Sequence, residues 1–352
     1  MSGSWPRVAG LPQDVYKRQV ENYLSQPLVL GEPDISGPMA VYPVFGAPPS
    51  LGYISMARAH GQGLTVKELP GGASVRDLIV SNPGPEPVLL FEGEEVLGAQ
   101  QNRTFDSSIL VPAGAEQRVP VSCVEHGRWD GSRHGEEFRP ARHSSHPDLR
   151  REKASQAARA REAGMEARAD QGRVWEHVAE KSMSMGVNSA TGSMNDVYET
   201  RRRELDDLAG GIDSHEGQIG MLVQIGGEVF ALDLVSRPDV MADLHKPLVT
   251  GYSLDAISIA KGSEADANPA LAKAFLDRTT ETRILERDGV GLGRDFRFED
   301  AALVGSGLVA GEELIQISAF PADRNDEPRR NSAADPVAAR QARITRASRR
   351  RR

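Results

Sequence analysis

Two short segments in the first half of the chain concentrate side chains that could bind or transform a ligand. The first runs from Glu92 to Arg103, and the second runs from Val121 to Trp129. Carboxylates accept hydrogen bonds from hydroxyl groups or hold a cation, and arginine offers a planar fork to phosphate. The two segments therefore suggest a site for sugar hydroxyls and phosphates. Solvated turns at the ends of strands are the alternative interpretation.

The second segment contains the sole cysteine of the chain. Alternation over 117–124 places Cys123 and Glu125 on one face of a strand. A cysteine in such a run is typical of core packing, and a reactive thiol is the second interpretation. An inward-facing carboxylate at Glu125 needs a partner, for which Arg103 and Arg128 are the candidates.

Several common signatures of catalysis and metal binding are missing from the sequence. It has no dinucleotide-binding Gly-x-Gly-x-x-Gly after a strand, no phosphate loop ending in Lys-Ser/Thr and no Gly-x-Ser-x-Gly elbow. His134, His143 and His146 match no tight ligand spacing, and the neighbouring arginines oppose a cation. We therefore predict no metal site at these histidines, and no motif implies a cofactor.

The composition limits the class of protein. The chain has 352 residues, of which 39% are hydrophobic, and it can bury a sizeable core. A single cysteine allows neither an intramolecular disulfide nor a multi-cysteine zinc site. No apolar run approaches the ~20 residues that cross a bilayer, and no secretory leader opens the chain. We therefore expect a cytoplasmic protein with no membrane partner.

Charge is distributed unevenly along the chain. The formal net charge is −8, yet residues 324–352 hold ten arginines and three acidic residues. The rest of the chain is therefore strongly acidic and will not attract nucleic acid through its overall field. Contact with nucleic acid is expected only weakly, through this tail, and a disordered solubilising tail is the simpler interpretation.

The first third of the chain reads as strands between turn signals. From about 26 to 130, short apolar or alternating runs are separated by segments such as Pro70-Gly71-Gly72. Residues 131–146 have the composition of a loop. Residues 148–170 have a strong helix composition but almost no large apolar residue, so they are predicted to lie on the surface or to pack weakly.

Helices and strands alternate in the remainder of the chain. Two further helices are predicted at 172–184 and 194–209, and Gly226-Gly227 between two apolar runs predicts a hairpin. A helix is predicted at 239–260, and Asn268-Pro269 predicts the start of another that runs to about residue 287. A last hairpin is predicted across Ala310-Gly311. The predicted class is α+β, with a β-rich sandwich or barrel-like core, a helical insertion and flanking helices.

These features divide the chain into five parts. Residues 1–19 are expected to be a disordered or non-native leader, because part of this stretch resembles an adapter-derived peptide. The other parts are a β-rich first half of the core with the motifs (20–130), a loop and helical insertion (131–212), the second half of the core (213–323) and a disordered Arg-rich tail (324–352).

At its motifs the sequence resembles the ARG-and-rhodanese-phosphatase-superfamily-associated protein domain family, where ARG denotes ADP-ribosylglycohydrolase. The resemblance covers about residues 25–320, with the helical insertion poorly matched. It rests on these segments: Glu92-Gly93-Glu94, Gly98, Gln101-Asn102-Arg103, Val121-Ser122-Cys123-Val124-Glu125 and Gly127-Arg128-Trp129.

The family takes its name from genomic association with enzymes of ADP-ribose chemistry, so the resemblance implies a place in NAD or ADP-ribose metabolism. We therefore expect the protein to bind or process an ADP-ribose-type or related nucleotide ligand. In this interpretation Arg103 and Arg128 hold phosphate, and Gln101 and Asn102 orient the ligand. Trp129 would stack on a base or sugar of the ligand, and aromatic packing in the core is the simpler interpretation of this residue.

Two carboxylates complete the expected site. Glu94 and Glu125 would hold ribose hydroxyls or a divalent cation, and they should converge on one cleft with the arginines. If the protein is a hydrolase, Glu125 is the candidate general base, because an inward-facing carboxylate can have a raised pKa. The alternative is a non-catalytic structural or protein-interaction module, in which Arg–Glu pairs fix turns and the helical insertion contacts a partner protein whose identity is unknown.

Overall fold

The structure is a computed structural model of the chain, and it describes residues 18–47, 49–70, 72–130, 137–259 and 264–322. Within these ranges the strands form three sheets of ten, six and three strands, and helices pack against them. The α+β class predicted from the sequence is confirmed. Most of the predicted leader and all of the predicted tail lie outside the described residues.

The strands are numbered along the chain. They are β1 (Arg18–Gln19), β2 (Val29–Leu30), β3 (Asp34–Ser36), β4 (Met39–Phe45), β5 (Ile54–Ser55), β6 (Thr65–Lys67), β7 (Asp77–Asn82), β8 (Val88–Leu90), β9 (Glu94–Leu97), β10 (Arg103–Phe105), β11 (Ile109–Val111), β12 (Ala115–Cys123), β13 (Arg139–Ser144), β14 (Gln218–Ile225), β15 (Glu228–Val235), β16 (Arg283–Asp288), β17 (Arg294–Glu299), β18 (Leu303–Ala310) and β19 (Glu313–Pro321).

The helices are numbered in the same way. They are α1 (Met56–His60), α2 (Pro147–Glu162), α3 (Gln171–Ser184), α4 (Met194–Thr200), α5 (Arg202–Ala209), α6 (Pro238–Ile259) and α7 (Pro269–Glu281), and a 3₁₀ turn covers Val20–Tyr23. Within the described ranges, no helix combines the length and apolar character that crossing a membrane requires.

The sheets are antiparallel apart from one parallel contact between β5 and β8. The large sheet has the order β1-β16-β17-β18-β19-β15-β14-β4-β2, and β3 also pairs with β4. The six-stranded sheet has the order β13-β9-β10-β12-β7-β6, and the small sheet has the order β11-β8-β5. Both motif segments belong to the six-stranded sheet, since β9, β10 and β12 are neighbours in it.

The large sheet is covered on both faces. On β14, Met221 and Val223 pack in a cluster with residues of α6, while Leu222 packs in a second cluster with residues of α7. This alternation of clusters follows from the two-residue period of a strand. The strand is accordingly buried along its whole length. The six-stranded sheet has a separate apolar cluster, which includes Val96, Phe105 and Val121.

Several predicted elements are confirmed. The hairpin at Gly226-Gly227 is β14–β15, and the last hairpin is β18–β19. The predicted helix at 239–260 is α6. Asn268 caps α7 by accepting a hydrogen bond from the Leu271 N–H, and Pro269 is its first residue.

Other elements differ from the prediction. The helix α7 ends at Glu281 and not near residue 287, because Thr282 is extended and Ile284 is buried in the core as part of β16. Residues 139–144, whose composition predicts a loop, form β13 and pair with β9. Arg18 and Gln19, which the sequence assigns to the leader, pair with β16.

The prediction that 148–170 lies on the surface or packs weakly is wrong for α2. This helix buries alanines together with two charged residues, Arg150 and Lys153. The guanidinium of Arg150 reaches Asp233 on β15 and Glu92 before β9, at 2.6 Å and 3.0 Å. Because this buried face consists largely of alanines and charged residues, it leaves no apolar stripe in the sequence. The hydrophobic pattern therefore did not predict that α2 is buried.

Gly93 lies where α2 meets the start of β9. Its φ is +88°, and an added Cβ would lie 2.5 Å from Nε of Arg150. We predict that Gly93→Ala lowers the free energy of unfolding by about 2–4 kcal/mol, because it combines left-handed strain with displacement of the Arg150 side chain. Urea unfolding followed by circular dichroism measures this loss.

Gly164 provides the matched control for that variant. It also has a positive φ, +74°, but an added Cβ would meet nothing within 4 Å. Gly164→Ala is expected to lose only the ~1–2 kcal/mol of left-handed strain. Equal losses for the two variants would show that the contact with Arg150 does not determine the effect.

Candidate functional site

The two motif segments meet because β10 lies between β9 and β12. Arg103, at the start of β10, is level with Val96 on β9 and with Cys123 at the end of β12. The chain between β9 and β10 (98–102) and the chain that follows β12 (124–129) therefore lie side by side. This juxtaposition places the amide, guanidinium and carboxylate side chains of the motifs at one end of the sheet.

Glu125 is the centre of a fixed group of hydrogen bonds. Its carboxylate accepts from the Arg128 guanidinium at 2.8 Å, from the Thr191 hydroxyl at 2.7 Å and from the Asn102 N–H at 3.2 Å. Burial alone would raise the pKa of Glu125, but these donors outweigh burial and leave the pKa below its usual value. The expectation of a raised pKa at Glu125 is wrong, and the ionised form is favoured.

Arg128 and the two amide residues hold the turns around Glu125. Arg128 donates to the Ala99 carbonyl at 2.5 Å and also to the Asp130 carbonyl. The Gln101 side chain donates to the His126 carbonyl at 3.2 Å. Asn102 Oδ1 accepts from Arg128 and from the Gly98 N–H, each at 3.3 Å. These contacts hold the backbones of the two segments in a fixed arrangement. This is the structural role expected of Arg–Glu pairs in turns.

Arg103 is held in a different way. Its guanidinium is 0% exposed and donates mainly to carbonyl oxygens, those of Gln101 at 2.8 Å and Ser74 at 3.3 Å. Among the described residues, Glu68 is the carboxylate that forms an ion pair with Arg103. The distance from Nη2 of Arg103 to Oε1 of Glu68 is 3.6 Å, which is too long for a hydrogen bond. Nε of Arg103 has no partner within the described ranges. Burial lowers the pKa of Arg103.

Trp129 lies over this arginine. The guanidinium carbon is 5.9 Å from the centre of the Trp129 ring, and the tryptophan is 49% exposed. A half-exposed indole beside a buried cation is a surface on which a planar ligand group can stack. Trp129, Arg103 and Glu68 are called the Trp129 cluster below.

Arg150 is a second buried arginine, and it has a full set of hydrogen-bonding partners. Arg150 is also 0% exposed, but its donors reach both oxygens of Asp233, at 2.6 and 2.8 Å, together with Glu92 and the Ser318 hydroxyl. Burial alone would lower the pKa of Arg150, and the two carboxylates raise it above its usual value. Arg103 has only the longer ion pair with Glu68, so its positive charge is less fully compensated than that of Arg150.

Cys123 lies beside Arg103 in the sheet but is closed off. The thiol donates to the Val75 carbonyl at 3.3 Å, and burial raises its pKa to about 12. Nucleophilic attack needs the thiolate, which is scarce at neutral pH with such a pKa. The surroundings of Cys123 therefore favour its packing role over a reactive thiol.

Glu94 has partners that differ from those of Glu125. Its carboxyl group accepts from the Phe91 N–H at 2.7 Å, and Asp243 on α6 is the charged residue that acts on it. Burial, with a smaller effect from Asp243, raises the pKa of Glu94 to about 8. The carboxyl group is therefore largely protonated at pH 7. The two motif carboxylates thus have opposite protonation states.

Sequence reasoning missed Glu68 and the loop that carries Thr191 and Ser193. Glu68 lies on another part of the sheet, 35 positions before Arg103, and nothing local distinguishes it from a surface acid. Thr191 binds Glu125, and Ser193 forms a β-bridge with it, although both precede α4 in the predicted insertion. Their sequence signal is a single Thr-Gly-Ser turn, which does not indicate a partner.

Comparison with known proteins now supplies the family. The family model described as the ARG and Rhodanese-Phosphatase-superfamily-associated Protein domain matches residues 27–320. The chain belongs to this family. The matched region contains both motif segments and the Trp129 cluster, and it also includes α2 to α5. No curated protein and no solved structure shows a match to the chain.

The raised pKa of Glu94 predicts a pH dependence of stability. The folded protein keeps this proton between pH 4.5 and about 8, while the unfolded chain releases it. The contribution of Glu94 to the unfolding free energy therefore falls as pH rises through this window, by at most about 1.4 kcal/mol per pH unit. Glu94→Gln removes the ionisation, so its stability relative to wild type should rise from pH 5 to pH 8.

Urea unfolding at several pH values measures this difference. The exposed Glu228 provides the control, since Glu228→Gln should follow the wild-type curve. A constant difference between Glu94→Gln and wild type from pH 5 to pH 8 would show that Glu94 is ionised in the folded state.

Proposed function

We propose that this protein binds an ADP-ribose-type nucleotide at the Trp129 cluster. The proposal rests on Arg103, a fully buried guanidinium beneath a half-exposed tryptophan, for which no carboxylate among the described residues lies within hydrogen-bond distance. A buried cation with only a long ion pair is costly. A bound phosphate would remove that cost, and the contrast with the fully partnered Arg150 supports this reasoning.

The ligand class follows from the chemistry of the cluster and from the family. Arginine pairs with phosphate through parallel N–H···O bonds, and an indole ring stacks on a nucleobase or sugar. Glu68 accepts hydrogen bonds from ribose hydroxyls. The family description contains ARG, the abbreviation for ADP-ribosylglycohydrolase, which supports ADP-ribose as the first ligand to test.

A ligand can reach Arg103 only if the side chain of Trp129 moves. In the structure the Trp129 ring lies over the guanidinium, so the ring must exchange this contact for one with the ligand. The other motif residues remain in place during this exchange, because Arg128, Glu125 and Asn102 bind one another and the backbone. They provide the rigid support of the site, and Trp129 provides the movable part.

Binding is favoured over hydrolysis by the state of Glu125. A general base works best when its pKa is near the working pH. The carboxylate of Glu125 already accepts from three groups, and its pKa is lowered. We therefore assign Glu125 a positioning role in the proposed site.

The test is the melting temperature of the full chain with ADP-ribose, with NAD and AMP as comparators. A ligand at ~100 times its dissociation constant stabilises the folded state by roughly 2.7 kcal/mol. We predict that ADP-ribose stabilises the wild-type chain. Trp129→Ala should weaken binding about fivefold to a hundredfold, because stacking contributes about 1–3 kcal/mol. Arg103→Lys should also weaken it, since lysine lacks the planar fork.

Two controls make the result specific. Arg173→Gln removes an arginine that is 60% exposed on α3, and it should leave the response to ADP-ribose unchanged. Circular dichroism confirms that each variant is folded. No stabilisation of the wild-type chain by the three ligands, or stabilisation that survives both Trp129→Ala and Arg103→Lys, would reject the proposal. The first outcome would favour a structural or protein-interaction module.

A further inference from the structure

A second group of arginines lines a cleft that the motifs do not reach. The cleft has a volume of about 660 Å³ and lies among α2, α7, β16 and β17. This volume is within the range of small-molecule sites. The arginines that line it come from all four elements: Arg161, Arg278, Arg283, Arg287 and Arg297.

Arg297 on β17 is the most informative of these residues. It is 6% exposed, and its guanidinium donates to the Asp106 carbonyl at 3.2 Å. Within the described ranges it forms no ion pair with a carboxylate, and its Nε has no hydrogen-bond partner. Burial lowers the pKa of Arg297, and the charge of Asp295 offsets part of this effect. Its positive charge is therefore buried without a hydrogen-bonded carboxylate among the described residues.

Arg161 on α2 lines the same cleft and is a second arginine with an incomplete set of hydrogen bonds. One of its nitrogens binds Asp295 at 2.5 Å, while Nη1 is buried with no partner among the described residues. Two guanidinium groups of like charge thus act on each other beside an open cleft. Asp295 compensates part of this repulsion, and an anion bound in the cleft would compensate more of it.

Carboxylates also line the cleft, and two of them already accept hydrogen bonds from the protein. Glu299 accepts from the Ser155 hydroxyl at 2.8 Å and from Arg159 at 3.2 Å. Asp300 accepts from the N–H groups of Ala302 and Leu303, at 2.7 and 2.8 Å. Glu162 and Glu281 complete the acidic part of the lining and can accept from hydroxyl groups of a ligand.

We propose that this cleft binds a phosphate-bearing small molecule, with Arg297 and Arg161 as the contacts to phosphate. The two unpaired donors supply hydrogen bonds to phosphate oxygens, and the exposed arginines of β16 add positive charge at the entrance. This site is separate from the Trp129 cluster, and neither proposal depends on the other.

Isothermal titration of the full chain with inorganic pyrophosphate tests the proposal. Salt is matched with sodium chloride, since general charge attraction weakens at higher ionic strength. Wild-type protein should bind one pyrophosphate at this cleft. Arg297→Gln should weaken binding about tenfold to a hundredfold, in line with the loss of a charge-assisted hydrogen bond. Arg283→Gln, on the exposed part of the wall, should weaken it less.

Two further variants complete the test. Arg297→Lys keeps the buried charge and serves where Arg297→Gln fails to fold; it should still weaken pyrophosphate binding because the planar fork is lost. Arg173→Gln, which removes an exposed arginine of α3 outside both proposed sites, should leave the pyrophosphate affinity unchanged. No binding of pyrophosphate to wild type, or equal binding by wild type and both Arg297 variants, would overturn the proposal.

Discussion

The buried ion pairs of Arg150 are the interaction on which the arrangement of the sheets depends. The guanidinium belongs to α2, Asp233 and Ser318 belong to neighbouring strands of the large sheet, and Glu92 precedes β9 of the six-stranded sheet. Tyr252 on α6 donates to the same Asp233 at 2.6 Å. Breaking one partner of such a buried pair costs about 3–5 kcal/mol, because the other charge is left alone. This single side chain therefore ties two sheets and two helices into one arrangement.

The same molecule contains two buried arginines that lack this kind of partnering. Arg103 is 0% exposed and Arg297 is 6% exposed, close to the 0% of Arg150, yet both donate mainly to carbonyl oxygens. Their pKa values are lowered, whereas that of Arg150 is raised. A buried arginine with incomplete ion pairing beside an exposed ring or an open cleft is the basis of both proposals. This contrast links the structure to the two proposed binding sites.

The fold was predictable where the signal is local. Gly226-Gly227 between two apolar runs specified the β14–β15 hairpin, and Asn268-Pro269 specified the start of α7. The buried face of α2 was not predictable, because the partners of Arg150 lie 83 and 168 positions further along the chain. The motif residues were found by type and spacing, and the meeting of their two segments follows from strand pairing. Only the distances in the structure show which motif residues form the rigid support and which belong to the partly exposed Trp129 cluster.

In the proposed binding step, Trp129 exchanges its contact with Arg103 for a contact with the nucleotide. Fluorine NMR of the full chain labelled with 5-fluorotryptophan observes this directly, because the chain has only three tryptophans. Trp129→Phe assigns the resonance. We expect ADP-ribose to shift the Trp129 resonance and to leave that of Trp175 in place. A Trp129 resonance that stays unchanged at millimolar ADP-ribose would rule out this exchange.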